Sequence, residues 1–177
     1  EITRGDGSYR TSDSKIWKYC GAAADGASVR PSSDRTSANW IFYRYADILL
    51  MKAEALSQLG NFEEAIEYVN RVRERANMEE KSAPTNRDAF EDLILEERAK
   101  ELAFEGKRWF DLLRMGRRNN YARKDKLIAI IVQNVPSNQR LVLASKLTNP
   151  LGWYLPIEDQ ELERNKNLEQ NPYYEGY

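Results

Sequence analysis

The sequence contains no histidine, a single cysteine and no long apolar segment. Without histidine, the chain cannot supply the Ser-His-Asp or Cys-His pairs of nucleophilic catalysis, or the histidine clusters that bind zinc. A lone Cys20 excludes an internal disulfide and a cysteine-based metal site. The longest apolar run, residues 127–132, is much shorter than the roughly 20 residues that span a membrane. We therefore expect no catalytic residues, no metal and no membrane-spanning helix.

Charge and length set further limits. The 27 basic and 28 acidic residues leave a net charge of −1, so no general basic field attracts nucleic acid. No Walker A or G-x-G-x-x-G pattern is present, and we expect no cofactor. The 177 residues suffice for one domain with its own core. The sequence begins at Glu1 without a signal-like segment, and we expect it to derive from a longer protein.

Composition divides this predicted single domain, residues 1–177, into three parts. Residues 1–40 form a leader rich in Gly, Ser, Asp, Thr and Arg, which predicts irregular structure. Residues 41–147 carry helical periodicity and form the predicted core. Residues 148–177 are interrupted by prolines and Gly152, which predicts an irregular tail. The fold class expected is mainly α.

Two helices joined by a tight turn are predicted at the start of this core. The first covers about residues 44–59 and ends at Gly60, and the second runs to about Ala76. Asn61 is the predicted N-cap of the second helix, with Glu64 as its capping-box partner. The apolar positions expected to face the core are listed here: Ile48, Leu49, Ala53, Leu56, Leu59, Phe62, Ala65, Ile66, Val69 and Val72.

The twelve-residue spacing of Ala53 and Ala65 is typical of a tetratricopeptide (TPR) hairpin, in which small residues allow close helix approach. Thr85 and Asp88 predict the cap of a further helix, about residues 87–104. Gly106 interrupts it, leaving either a second hairpin or one kinked helix. Trp109, Phe110, Leu112 and Leu113 then recur at helical spacing and are expected in the core, with later helices near residues 121–132 and 137–147.

A dense charge pattern follows in the second half of the core. Its members are Glu96, Glu97, Arg98, Glu101, Glu105, Arg108, Asp111 and Arg114. Glu97, Glu101 and Glu105 repeat every four residues, so they are predicted to share one helix face. Such a face suits either acid–base and metal chemistry or a structural ion-pair network. We favour the network, because nearby arginines neutralise the carboxylates and no Glu-x-x-His pattern accompanies them.

Aromatic residues cluster near the leader: Trp17, Tyr19, Trp40 and Tyr43. Their rings either stack on sugars or anchor the leader to the helices, and anchoring is the commoner role of such residues. Trp153, flanked by Pro150 and Pro156, is expected to fix the tail. Cys20 does not follow an apolar segment, so it does not resemble a lipoprotein acceptor and is expected to be inert.

Three ordered segments carry a family resemblance. They are residues 44–55 (RYADILLMKAEA), residues 97–112 (ER through ELAFEGKRWFDL), and the tail pattern WYLPI at 153–157 with QNPY at 170–173. In this order they resemble the C-terminal half of the SusD/RagB family of Bacteroidetes outer-membrane nutrient-binding lipoproteins. The resemblance covers about residues 17–177.

The resemblance implies a helical protein, built on TPR-like hairpins, that binds glycans or other nutrients without cleaving them. It implies a SusC-like TonB-dependent transporter as partner and a surface-exposed location on the outer membrane. The lipid anchor and much of the ligand surface would lie before Glu1. The matched positions Glu97, Arg98, Glu105, Arg108 and Asp111 are scaffold positions whose implied role is to hold helices together. No ligand-binding residue is carried over.

Two other functions remain open at this point. A TPR-type adaptor would bind a peptide in a helical groove and have no glycan affinity. An enzyme would use the carboxylate face, with Glu97 or Glu101 essential for hydrolysis. If a ligand surface lies within this chain, Trp17, Tyr19 and Trp40 are its candidate residues.

Overall fold

The structure is a computed structural model that describes residues 41–175. The described part is helical and contains no β-strand, which confirms the mainly α prediction. Its helices are α1 (Tyr45–Leu59), α2 (Phe62–Arg75), α3 (Arg87–Glu101), α4 (Arg108–Tyr121), α5 (Lys124–Gln133), α6 (Arg140–Leu147) and α7 (Asp159–Arg164). The chain divides into two compact units, one ending at Arg108 and the other beginning at Trp109. The single-domain boundaries stay a prediction, and the leader lies outside the described residues.

In the first unit, α1 and α2 form the predicted hairpin. Gly60 ends α1 in the left-handed conformation, with φ of +89°, which glycine adopts without steric penalty. Asn61 precedes α2 as expected, but its side chain makes no cap hydrogen bond. Ala53 and Ala65 are completely buried, which confirms the role of small residues in the hairpin.

Helix α3 packs against the hairpin and completes the core of the first unit. The rings of Phe62 and Phe90 stack with centroids 5.8 Å apart. The cap of α3 differs from the prediction. Asn86, not Thr85, is the N-cap, and its side chain accepts a 2.9 Å hydrogen bond from the backbone N–H of Ala89.

The buried face of α1 is rotated relative to the prediction. Leu50 is completely buried, whereas Ile48 is 46% exposed and Leu59 is 74% exposed. Buried polar residues Asp47, Glu54 and Ser57 share the inner side of this helix. The prediction that Ile48 and Leu59 face the core was wrong, because polar side chains with partners inside the unit occupy the inner side of α1.

Helix α3 ends at Glu101, three residues before the predicted end, and α4 begins at Arg108. The structure therefore has two separate helices here, and not the single kinked helix that the sequence also allowed. Gly106, with φ of +71°, lies in the intervening turn. As a result, Glu97 and Glu101 are helical, but Glu105 lies beyond the helix.

The second unit has its own small core around Trp153, which is 3% exposed. Its indole N–H donates a 2.9 Å hydrogen bond to the carbonyl of Leu147, and Tyr121 packs edge-on at 5.5 Å. This contact confirms that Trp153 fixes the tail. Phe110, in contrast, is 62% exposed, so its prediction as a core residue was wrong, while Leu112 beside it is buried.

The tail is mostly irregular, with two short 3₁₀ turns and the single short helix α7. The carboxylate of Glu158 caps that helix by accepting a hydrogen bond from the N–H of Gln160. Tyr173 lies against Gly152, and the hydroxyl of Tyr174 donates to the carbonyl of Tyr154 at 2.9 Å. These contacts hold the two 3₁₀ turns together.

Candidate functional site

The predicted carboxylate face is an ion-pair network. Arg73 of α2, 5% exposed, pairs with Glu97 of α3, and its Nε also donates to the carbonyl of Glu79 at 2.7 Å. Asp47 of α1 lies 2.9 Å from Arg98 of α3, with both side chains buried. These pairs join α1 and α2 to α3, which confirms the predicted network.

Arg44, just before α1, connects the two remaining carboxylates of the predicted face. Its guanidinium contacts Glu101 at 2.5 Å and Glu105 at 2.8 Å. Burial lowers the pKa of Arg44, but the hydrogen bonds to Glu105 and Glu101 outweigh it and hold that pKa above its usual range. Arg75 adds a further contact with Glu101 at 2.5 Å. Arg44 therefore stays charged and fixes the turn after α3 to the start of α1.

The other matched scaffold residues also bind neighbouring groups. Arg108 donates to the carbonyl of Leu95 at 2.7 Å, and Asp111 pairs with Arg114 at 2.9 Å. Among residues 41–175, no group of three or more potential ligand side chains is placed to hold a metal ion. The arrangement is suited to holding helices in place, because its carboxylates are already neutralised by arginine.

An exposed aromatic surface lies at the start of α1. We call Phe42, Tyr43 and Tyr45 the aromatic edge; they are 71%, 68% and 64% exposed. Lys107 lies 4.3 Å from the ring centroid of Tyr43 and donates to the carbonyl of Phe42 at 2.6 Å. Arg71 donates to the hydroxyl of Tyr45 at 2.9 Å.

Exposed rings held by cations are suited to stacking against the apolar C–H faces of sugars, because part of each aromatic surface faces solvent. Of the aromatic residues selected from the sequence, Tyr43 lies in this edge, whereas Trp17, Tyr19 and Trp40 lie outside the described residues. Phe42 and Tyr45 were missed. The sequence signal for them was the presence of three aromatic residues within 42–45, beginning two residues after Trp40.

In the part of the chain that the structure describes, every helix is too short or too polar to cross a membrane.

Comparison with known proteins identifies relatives. The profile of the SusD family matches residues 8–174. SusD-like protein P38 of Formosa agariphila is 46% identical over 110 residues, which is 58% of this chain and 20% of that protein. SusD-like protein P2 of the same organism is 35% identical over 165 residues, which is 89% of this chain and 29% of that protein.

Two crystal structures have a similar backbone. A SusD superfamily protein from Bacteroides vulgatus superposes with a TM-score of 0.59 at 28% identity, over 75% of this chain and 27% of that one. One from Bacteroides thetaiotaomicron gives 0.55 at 29% identity, over 79% of this chain and 27% of that one. The chain thus spans less than a third of the length of these relatives.

Proposed function

The chain belongs to the SusD family, and on that premise we propose that it is the C-terminal portion of a cell-surface glycan-binding lipoprotein. Members of this family are non-catalytic binding proteins. The complete protein would bind an oligosaccharide at the outer membrane and deliver it to a SusC-like TonB-dependent transporter. Support for this proposal comes from the family match and from relatives several times longer than this chain.

The aromatic edge is the observation that carries the glycan part of the proposal. Phe42, Tyr43 and Tyr45 expose more than half of their surface at one end of α1, and sugar rings bind to such surfaces by stacking. The ion pairs of Arg44 and Lys107 support the backbone around them, so the rings do not need to be ordered at the moment of binding. A preorganised surface binds with a smaller loss of entropy.

The carboxylates argue against the enzyme alternative. Glu97 and Glu101 lie against Arg73, Arg44 and Arg75, so their carboxylates are occupied by ion pairs that join helices. We therefore assign these two residues to the scaffold.

The test is calorimetric titration of the complete protein with a panel of oligosaccharides, comparing the wild type with Tyr43→Ala. For any glycan that binds, we expect Tyr43→Ala to weaken affinity by about tenfold or more, because covering an aromatic ring is worth about 1.5–3 kcal/mol. Leu59→Ala is the matched control, since it removes an equally exposed apolar side chain at the other end of α1.

Equal affinities of the wild type and Tyr43→Ala would remove the aromatic edge from the ligand site. A folded protein that binds no oligosaccharide and purifies instead with a peptide-bearing partner would contradict the proposal and support the TPR adaptor. Copurification with a large β-barrel transporter would support the uptake role.

A further inference from the structure

A cleft of about 440 Å³ lies along α4 in the second unit. Five residues line it: Phe110, Leu113, Arg114, Arg117 and Arg118. We call it the arginine cleft. Its lining residues recur at helical spacing up to Arg117, and Arg118 lies where the backbone leaves the helical conformation. The cleft thus combines an exposed aromatic ring with three guanidinium groups.

Positive charge is concentrated in this cleft. Arginine is always protonated at physiological pH, so the lining carries three positive charges. Asp111, which is buried, pairs with Arg114 at 2.9 Å. None of the ion pairs formed among residues 41–175 involves Arg117. Its guanidinium lies 5.6 Å from the ring centroid of Tyr154, a cation–π distance that holds the group in place.

Like charges brought together on one helix face repel one another, and an anion bound at Arg117 weakens that repulsion. Guanidinium groups bind carboxylates and sulfates through two parallel hydrogen bonds. Phe110, beside them, is 62% exposed and offers a ring for the apolar face of a sugar. The chain as a whole has a net charge of −1, so these cations form a local site and not part of a basic field for nucleic acid.

We propose that the arginine cleft binds the acidic substituent of an oligosaccharide, either the carboxylate of a uronic acid or a sulfate ester. Arg117 holds the anionic oxygens, Arg114 and Arg118 add positive charge, and Phe110 contacts the sugar ring. That the ligand is a glycan rests on the function proposed above. The acidic group and the cleft that binds it are the new elements.

The test uses two matched pairs of probes with the complete protein: an oligogalacturonate with its methyl ester, and a carrageenan oligosaccharide with its desulfated form. We expect calorimetry to show at least about tenfold tighter binding of one charged probe than of its neutral partner. Arg117→Met should remove that preference, and Arg117→Lys should keep only part of it, because lysine lacks the planar fork. The carrageenan pair distinguishes sulfate from carboxylate.

Lys166→Met is the control, since it removes one exposed positive charge without touching the cleft. An equal loss of affinity in Lys166→Met and Arg117→Met would show general electrostatic attraction and overturn the inference. So would equal binding of charged and neutral probes, or no binding of either charged probe by a folded protein. None of these results affects the proposed function, which is tested separately through Tyr43→Ala and the wider panel of oligosaccharides.

Discussion

Asp47 of α1 and Arg98 of α3 form an ion pair at 2.9 Å, and their side chains are only 2% and 3% exposed. Lys107 approaches the same carboxylate at 3.3 Å. Both partners of such a pair have lost most of their hydration, which their mutual attraction offsets only while both are present. The hairpin and α3 are therefore positioned by a contact that tolerates no loss of one partner.

Replacing Asp47 with Asn keeps the side-chain shape and removes the negative charge. We expect the free energy of unfolding to fall by about 3–5 kcal/mol, since the buried guanidinium of Arg98 loses the charge of this carboxylate. Urea denaturation followed by circular dichroism measures the change.

Glu161→Gln provides the comparison for this variant. It breaks the exposed pair between Glu161 and Arg164, whose side chains are more than half exposed, and should change stability by less than about 1 kcal/mol. Combining Asp47→Leu with Arg98→Met should cost less than the sum of the single changes, because neither member of this pair then faces an uncharged replacement of the other. If Asp47→Asn were as mild as Glu161→Gln, the buried pair would not position α3.

The cap of α3 gives a second prediction. Asn86→Ala removes the side-chain acceptor of the Ala89 N–H and should destabilise the protein by about 1 kcal/mol. Thr85→Ala should have almost no effect, since Thr85 is exposed and lies outside the cap position. Thermal or urea unfolding of the two variants checks both statements, and a larger effect at Thr85 would restore the cap predicted from sequence.

The helical hairpin was predictable because its signals are local. A glycine such as Gly60 can end a helix in any fold. Small residues such as Ala53 and Ala65 leave space for a closely packed helix. The rotation of α1 was not predictable from periodicity. Residues 48–51 are all apolar, and four consecutive positions surround the helix, so either Ile48 or Leu50 fits an inward face. Burial of Asp47 beside Arg98 determined which of them points inward.

The partners of the charged residues were only partly predictable from the sequence. The sequence predicted that Glu97, Glu101 and Glu105 are neutralised by arginine, because both charges are abundant in this region. It did not predict that Arg73 and Arg44 do so from 24 and 57–61 residues away, because such partners depend on how helices pack. The exposure of Phe110 was missed for a related reason, since periodicity marks an apolar stripe but not the neighbour that covers it.

Glu96 and Lys100, one helical turn apart on α3, provide a prediction about pH. The Lys100 ammonium donates a 2.5 Å hydrogen bond that lowers the pKa of Glu96 below its usual range. Lys100→Met should therefore raise the pKa of Glu96, as measured by ¹³C NMR titration of its carboxyl group. Lys166→Met should leave that pKa unchanged, and the same null result in Lys100→Met would contradict the assigned cause.

The lowered pKa of Glu96 determines the pH range in which its pair with Lys100 stabilises the protein. A carboxyl whose pKa is lower in the folded state stabilises the protein above its ordinary pKa, and the contribution is lost as pH falls through the lowered value. Since both side chains are more than half exposed, solvent screens the pair and the contribution is small. We expect the difference in stability between the wild type and Lys100→Met to disappear in acid and to be constant above about pH 6.

Gly116 of α4 is predicted to tolerate no side chain. A β-carbon at this position would lie 2.6 Å from Cδ1 of Leu127 and 3.1 Å from Cζ3 of Trp153, both closer than ordinary van der Waals contact. Glycine usually weakens a helix by about 0.5–1 kcal/mol relative to alanine, so Gly116→Ala would stabilise α4 if space were available. We expect destabilisation by about 1–3 kcal/mol instead, because Leu127 and Trp153 are buried and must move.

Ser145→Ala, at an exposed position of α6, is the control and should be neutral or slightly stabilising. Thermal unfolding with tryptophan fluorescence reports both stability and the surroundings of Trp153, and a more stable Gly116→Ala protein would show that this ring does not lie against α4.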